Sequence, residues 1–124
     1  MKIERRKFIR YQIHPHTIFL YSNYSPFKGW ATDISEGGMA FEYTRIEGCE
    51  PKPEIRLILT GDVFPFYLPD IPCKTIYNIE IDNNDRPFKI TGKRRCGVQY
   101  EKLDPKMQEK LTFLLNSKHI LREL

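Results

Sequence analysis

Cysteine and histidine are scarce in this chain, and neither is grouped. The three cysteines (Cys49, Cys73, Cys96) are odd in number and far apart. No Cys-x-x-Cys pair occurs, which argues against a zinc site and a disulfide framework and for reduced thiols in a cytoplasmic protein. The three histidines (His14, His16, His119) are scattered, and nothing places a cysteine beside one. No nucleophile elbow, metal-binding helix motif or phosphate loop appears, so the residues offer no catalytic constellation and the chain reads as a non-enzyme. No apolar run approaches the ~18 residues that a membrane-spanning helix needs. The charged start Met1-Lys2-Ile3-Glu4-Arg5-Arg6 has no apolar stretch behind it and does not read as a secretory signal. Repeats, linkers and low-complexity segments are also missing.

What is present is ordinary in amount and uneven in placement. The 124 residues fit one domain with a real core, and 40% hydrophobic with 29% charged residues is typical of a globular chain. Aromatics reach 13%, which favours strands. The net charge of +4 permits an anionic partner without naming one. Basic residues gather at Lys2, Arg5, Arg6, Lys7 and Arg10 and again at Lys93-Arg94-Arg95. The second cluster reads as a solvated strand entrance.

Residues 1–15 read as a basic arm and 16–101 as a run of short strands. Strands are expected at Thr17–Tyr21, Phe27–Ile34, Met39–Tyr43, Glu54–Leu59, Cys73–Ile81, Phe88–Ile90 and Arg95–Tyr100. Ser35-Glu36-Gly37-Gly38 and Asp82-Asn83-Asn84-Asp85 carry turn chemistry. Pro65 and Pro69 exclude a central strand from Phe64 to Pro69, leaving its aromatics to cap one end of the barrel or to form an exposed contact surface. Asp104 as N-cap and Pro105 at the first position open a helix over 104–122. Met107, Leu111, Leu114, Leu115 and Leu121 would face the core, while Phe113, Ile120 and Leu124 would form a second apolar stripe suited to self-association or a partner. The fold class expected is all-β: a small six-stranded antiparallel barrel, chosen over a sandwich because closure removes exposed edges, with a C-terminal helix.

Two polar constellations carry the chemistry. Arg5, Arg6 and Arg10 offer planar forks that pair bidentately with phosphate or with the O6/N7 edge of guanine, and faces that stack on purines. On an extended arm Arg6 and Arg10 fall on one side. Asp33 and Ser35 share a side if the strand alternates, with Ile34 turned inward. The Asp33 carboxylate can accept from guanine N1–H and N2–H, and the Ser35 hydroxyl beside the Gly37 and Gly38 amides can take a phosphate oxygen. The combination suits a small ligand with phosphates at its edges and purines between. A small basic barrel could instead bind single-stranded nucleic acid, but the aromatics fall at positions that read as buried rather than as an exposed stacking face.

The spacings Arg-x-x-x-Arg (Arg6, Arg10) and Asp-x-Ser-x-x-Gly (Asp33, Ser35, Gly38), followed by Cys96-Gly97-Val98-Gln99-Tyr100 and Leu103-Asp104-Pro105, resemble the signature of the PilZ family of bacterial cyclic di-GMP receptors. The resemblance implies a split-barrel fold, cyclic di-GMP as ligand with no other cofactor, and Arg5, Arg6, Arg10, Asp33, Ser35, Gly37 and Gly38 as its contacts. Arg5, just before the first pattern, implies an intercalated pair of ligand molecules. The resemblance also implies an arm that orders on binding for a protein partner, and control of motility, surface attachment, exopolysaccharide synthesis or virulence. An adaptor that works without ligand is the rival within the family, weakened here because the arginines and the Asp/Ser/Gly set are all kept.

Overall fold

The computed structural model describes residues 8–23, 28–46, 52–61, 66–81, 91–117 and 121–123. Its strands are β1 (Tyr11–Ile13), β2 (Ile18–Tyr21), β3 (Lys28–Ile34), β4 (Gly38–Ile46), β5 (Glu54–Gly61), β6 (Phe66–Glu80), β7 (Thr91–Tyr100) and β8 (Leu121–Glu123), with one helix, α1 (Pro105–Leu115), between β7 and β8. Antiparallel pairing runs β2-β5-β6-β7-β4-β3, and β2 pairs back onto β3, so six strands close into a barrel. The remaining two, β1 and β8, extend the sheet beyond β3.

Closure depends on how β3 divides its free edge. Residues 28–30 pair with β2, and Asp33 and Ile34 pair with β1. Between them the β3–β4 register shifts at Thr32, whose hydroxyl donates to the Ala40 carbonyl at 3.2 Å. This extra residue lets Ala31 and Ile34, an odd number apart, both enter the core. Ile34 is turned inward as its pattern suggested. Inside the barrel, Ile18, Leu20, Phe41, Leu57, Leu59, Leu68 and Ile71 are fully buried. Each such side chain contributes about 1.5–3 kcal/mol relative to exposure.

Three expectations need correction. The stretch from Phe66 to Pro69 is strand, part of the 15-residue β6. Proline is accommodated because the β7 ladder joins β6 only from Cys73 onward, and at Pro72 the contact beyond it uses the proline's carbonyl alone, which accepts from the Glu101 amide at 2.8 Å. The β5–β6 register also shifts there, with Asp70 at φ 59° and ion-paired to Arg56 at 3.0 Å. Second, the arm expected over 1–15 ends in a strand: β1 fills the part of the β3 edge that β2 leaves open, and Ile13 is buried. Third, the helix stops at Leu115 rather than running to 122. Asp104 Oδ1 caps its start by accepting from the Met107 amide at 2.8 Å, and Leu111 and Leu114 pack on the barrel as expected. Leu121 is buried too, but from β8, which pairs with the outer edge of β1. Phe113 is exposed, and Ile120 and Leu124 lie outside the described residues, as do Phe64, Pro65, the 82–85 turn, the 88–90 strand and Cys49. Among the described residues no helix is long and apolar enough to cross a membrane.

Candidate functional site

The β1–β3 register decides where the N-terminal segment goes. Gln12 lies opposite Asp33 and Tyr11 opposite Ile34, so the chain before Tyr11 continues past the Ser35–Gly38 turn. Phe8 lies against Gly37 so closely that a Cβ on that glycine would stand 2.5 Å from the Phe8 ring. The segment and the turn thus border one depression of about 420 Å³. Of the residues expected at the site, Arg10, Asp33, Ser35, Gly37 and Gly38 all line it, and Arg10 is exposed. Arg5 and Arg6 lie outside the described residues.

The turn is held by its own serine. Ser35 Oγ accepts from the Gly37 and Gly38 amides, both at 3.2 Å, and donates to the Gly38 carbonyl at 3.3 Å, while the Ser35 amide donates to the same carbonyl at 2.8 Å. The hydroxyl and the two amides expected to await a phosphate oxygen are therefore engaged with one another. The glycines serve close approach, but to their own chain. A Cβ on Gly38 would collide with the Val98 carbonyl of β7, as one on Gly37 would with Phe8.

Asp33 is 9% exposed, and its Oδ2 accepts from Arg95 Nη2 at 2.5 Å. Arg95 Nε points to the Tyr77 hydroxyl at 3.4 Å. Burial alone would lower the Arg95 pKa, but the Tyr77 hydrogen bond and the Asp33 and Glu42 carboxylates hold it above the ordinary arginine value. Arg95 is thus a fixed cation whose charge is partly matched by one acid. The run Lys93-Arg94-Arg95, expected as a solvated strand entrance, is so only at Lys93, which is exposed and pairs with Glu42 at 3.6 Å; Arg94 Nε bonds Asn78 Oδ1 at 2.7 Å, and Arg95 is held to Asp33. Tyr77 covers Gly97, where a Cβ would enter its ring. The β6–β7 register shift at Ile76 sets Tyr77 opposite Gly97. Below the turn, the Tyr100 amide donates to the Gly37 carbonyl at 3.0 Å. Its hydroxyl is buried with no hydrogen-bond partner among the described residues, and burial, then Cys73 and Asp33, pushes its pKa well above 10.0.

The depression therefore combines an exposed guanidinium (Arg10), a buried carboxylate (Asp33) and a half-exposed aromatic ring (Tyr77), and a second guanidinium (Arg95), which does not line it, bonds both Asp33 and Tyr77. Such a set can neutralise phosphate, read the hydrogen-bonding edge of guanine and stack on a base. Arg95 and Tyr77 were not picked out from the sequence. Their only local signals are alternation in β7 and a glycine that leaves room for a ring, and neither says which distant strand supplies the partner.

A search of the curated proteins finds no match. Among solved structures, the chain is similar to the PilZ domain of YcgR from Escherichia coli, a structure with c-di-GMP, at 18% identity and TM-score 0.68, covering 92% of this chain and 91% of that one. It is also similar to the Bacillus subtilis inhibitor of motility MotI/DgrA, at 15% identity and TM-score 0.60, covering 94% of this chain and 52% of that one. At these identities the likeness speaks for the fold. The PilZ domain family model matches residues 4–117, a span holding both arginine-rich segment and acidic turn, the barrel and the helix, and on that match the chain belongs to the PilZ domain family.

Proposed function

We propose that this chain is a receptor for cyclic di-GMP and binds it where the N-terminal segment crosses the Asp33 corner. The observation that carries the reading is the shared depression: Arg10 from before β1, Asp33 from the end of β3 and Tyr77 of β6 border one concavity, and Arg95 bonds both Asp33 and Tyr77. The similar YcgR domain, whose structure holds c-di-GMP, supports the choice of ligand, and family membership supports a binding rather than a catalytic role. In this reading Arg6 and Arg10 clamp phosphates and Asp33 accepts from guanine N1–H and N2–H. Arg95 donates to the O6/N7 edge of guanine, and Tyr77 stacks. Arg5 stacks on a second, intercalated ligand molecule. Ser35, Gly37 and Gly38 hold the turn that fixes Asp33. Closing of the N-terminal segment over the ligand changes the surface that a protein partner reads, and the similarity to an inhibitor of motility favours motility as the process controlled.

Isothermal titration with cyclic di-GMP tests the proposal. Arg6→Ala and Arg10→Ala should each weaken binding tenfold or more while leaving the melting temperature within a degree or two of the parent. Unchanged affinity removes the segment from the site. Arg5→Ala should lower the ratio from two ligands per chain toward one, and a constant ratio would retire the intercalated pair.

A further inference from the structure

A second depression, of about 630 Å³, shares Asp33 with the first and is lined by Arg95, the partner of that carboxylate. Trp30 of β3 is its centre. The His16 ring meets the indole at 5.1 Å and 89°, and the Phe19 ring meets it at 5.2 Å and 65°. Three rings in edge contact leave a half-buried indole as an aromatic wall of fixed orientation. His16 adopts φ 59°, a left-handed conformation uncommon for a residue other than glycine, at the border of this groove. Lys28, two residues before Trp30 and on the same side of the strand, is exposed and has no ion-pair partner among the described residues. By contrast, Lys93 on the opposite wall is held by Glu42.

The two concavities thus repeat one arrangement. Each has an aromatic ring (Tyr77 or Trp30) and an exposed cation without an ion-pair partner among the described residues (Arg10 or Lys28), and Asp33, paired with Arg95, is common to both. A cyclic dinucleotide has the matching layout of two purines joined by two phosphates. We propose that the messenger straddles the Asp33–Arg95 pair, with one guanine on the Tyr77 side and the other stacked on Trp30, its neighbouring phosphate facing Lys28. This inference rests on the messenger reading above and adds a second base subsite to it. The volume of the groove falls within the ~300–1,000 Å³ usual for small-molecule sites, and base–aromatic stacking is sequence-tolerant but orientation-dependent, which the flanking rings satisfy.

Trp30 is the only tryptophan of the chain, so its emission reports on this groove. The full chain is titrated with cyclic di-GMP by fluorescence and by calorimetry in parallel. The inference expects saturable quenching with the same midpoint as the heat. It also expects roughly tenfold weaker binding on Trp30→Leu and a similar loss on the exposed Lys28→Glu, which keeps the fold. Heat of binding with unchanged emission, and parental affinity in Lys28→Glu, would overturn the second subsite and leave a one-lobed messenger site. No heat in the parent would overturn the messenger reading itself. Quenching by GMP alone, with none by cyclic di-GMP, would show a groove that serves a separate nucleotide and would equally overturn the inference.

Discussion

Replacing Arg95 by methionine separates the two partners of the central ion pair, and the cost follows from their unequal burial. The side chain of Arg95 is 32% exposed and that of Asp33 only 13%, with 2.5 Å between Nη2 and Oδ2. An exposed pair contributes about 0–1 kcal/mol. Removing one partner of a fully buried pair costs about 3–5 kcal/mol. This pair lies between those limits, so Arg95→Met should cost about 2 kcal/mol, near the value for a charge-assisted hydrogen bond. Asp33→Asn should cost less, because the freed guanidinium can turn to water whereas a carboxylate left under the turn cannot. The double variant should recover part of the loss, giving a coupling of about 1 kcal/mol or more. Urea denaturation of the parent, the two single variants and the double variant measures all four terms. The ordering should persist in 1 M salt, since partly buried pairs are weakly screened. A coupling below about 0.5 kcal/mol, or an Asp33→Asn cost equal to that of Arg95→Met, would refute the reasoning.

Two further outcomes follow from packing and burial. Gly97→Ala places a methyl group inside the Tyr77 ring. Since Tyr77 is 37% exposed, it should swing outward with a stability loss of about 1 kcal/mol or less, while cyclic di-GMP affinity falls tenfold or more as the stacking face is lost; parental affinity by calorimetry would take Tyr77 out of the site. Burial raises the Cys73 thiol from 9.0 to about 12 and the Cys96 thiol to about 11, so the folded chain holds protons that the unfolded chain releases above pH 9. Stability is therefore complete below about pH 9 and declines as pH rises toward 11–12, and both thiols should react with an alkylating reagent only on unfolding. Cys73→Ala/Cys96→Ala should flatten the alkaline limb of the denaturation profile, and an unchanged limb would show that other groups govern it.

Much of the barrel was readable along the chain because its signals are local. Alternation in Glu54–Leu59 and the cap and proline at Asp104-Pro105 act within a few residues, and the structure keeps both as strand and helix start. The turn at Ser35–Gly38 was readable for the same reason, since its serine bonds amides two and three residues away. Residues whose state depends on a distant edge were not readable. Proline is tolerated at Pro69 because β7 does not reach that part of β6 and the β5–β6 register shifts there. Leu121–Glu123 leaves the helix pattern for a strand because β1 offers an edge 110 positions earlier in the chain, where Arg122 Nη2 bonds Gln12 Oε1 at 2.6 Å.

The site divides along the same line. Which groups can meet a guanine and a phosphate was settled by residue type and short spacing, since forks, carboxylates and glycines carry their chemistry wherever they stand. How those groups are employed was settled by the barrel alone. Its closure brings Arg95 of β7 across β4 to Asp33 of β3, 62 positions apart, turns the Ser35 hydroxyl back on its own turn, and sets Tyr77 over Gly97. Pairing between strands is a long-range choice governed by edges, register shifts and core volume. None of these is written in the few residues on either side of the groups it brings together.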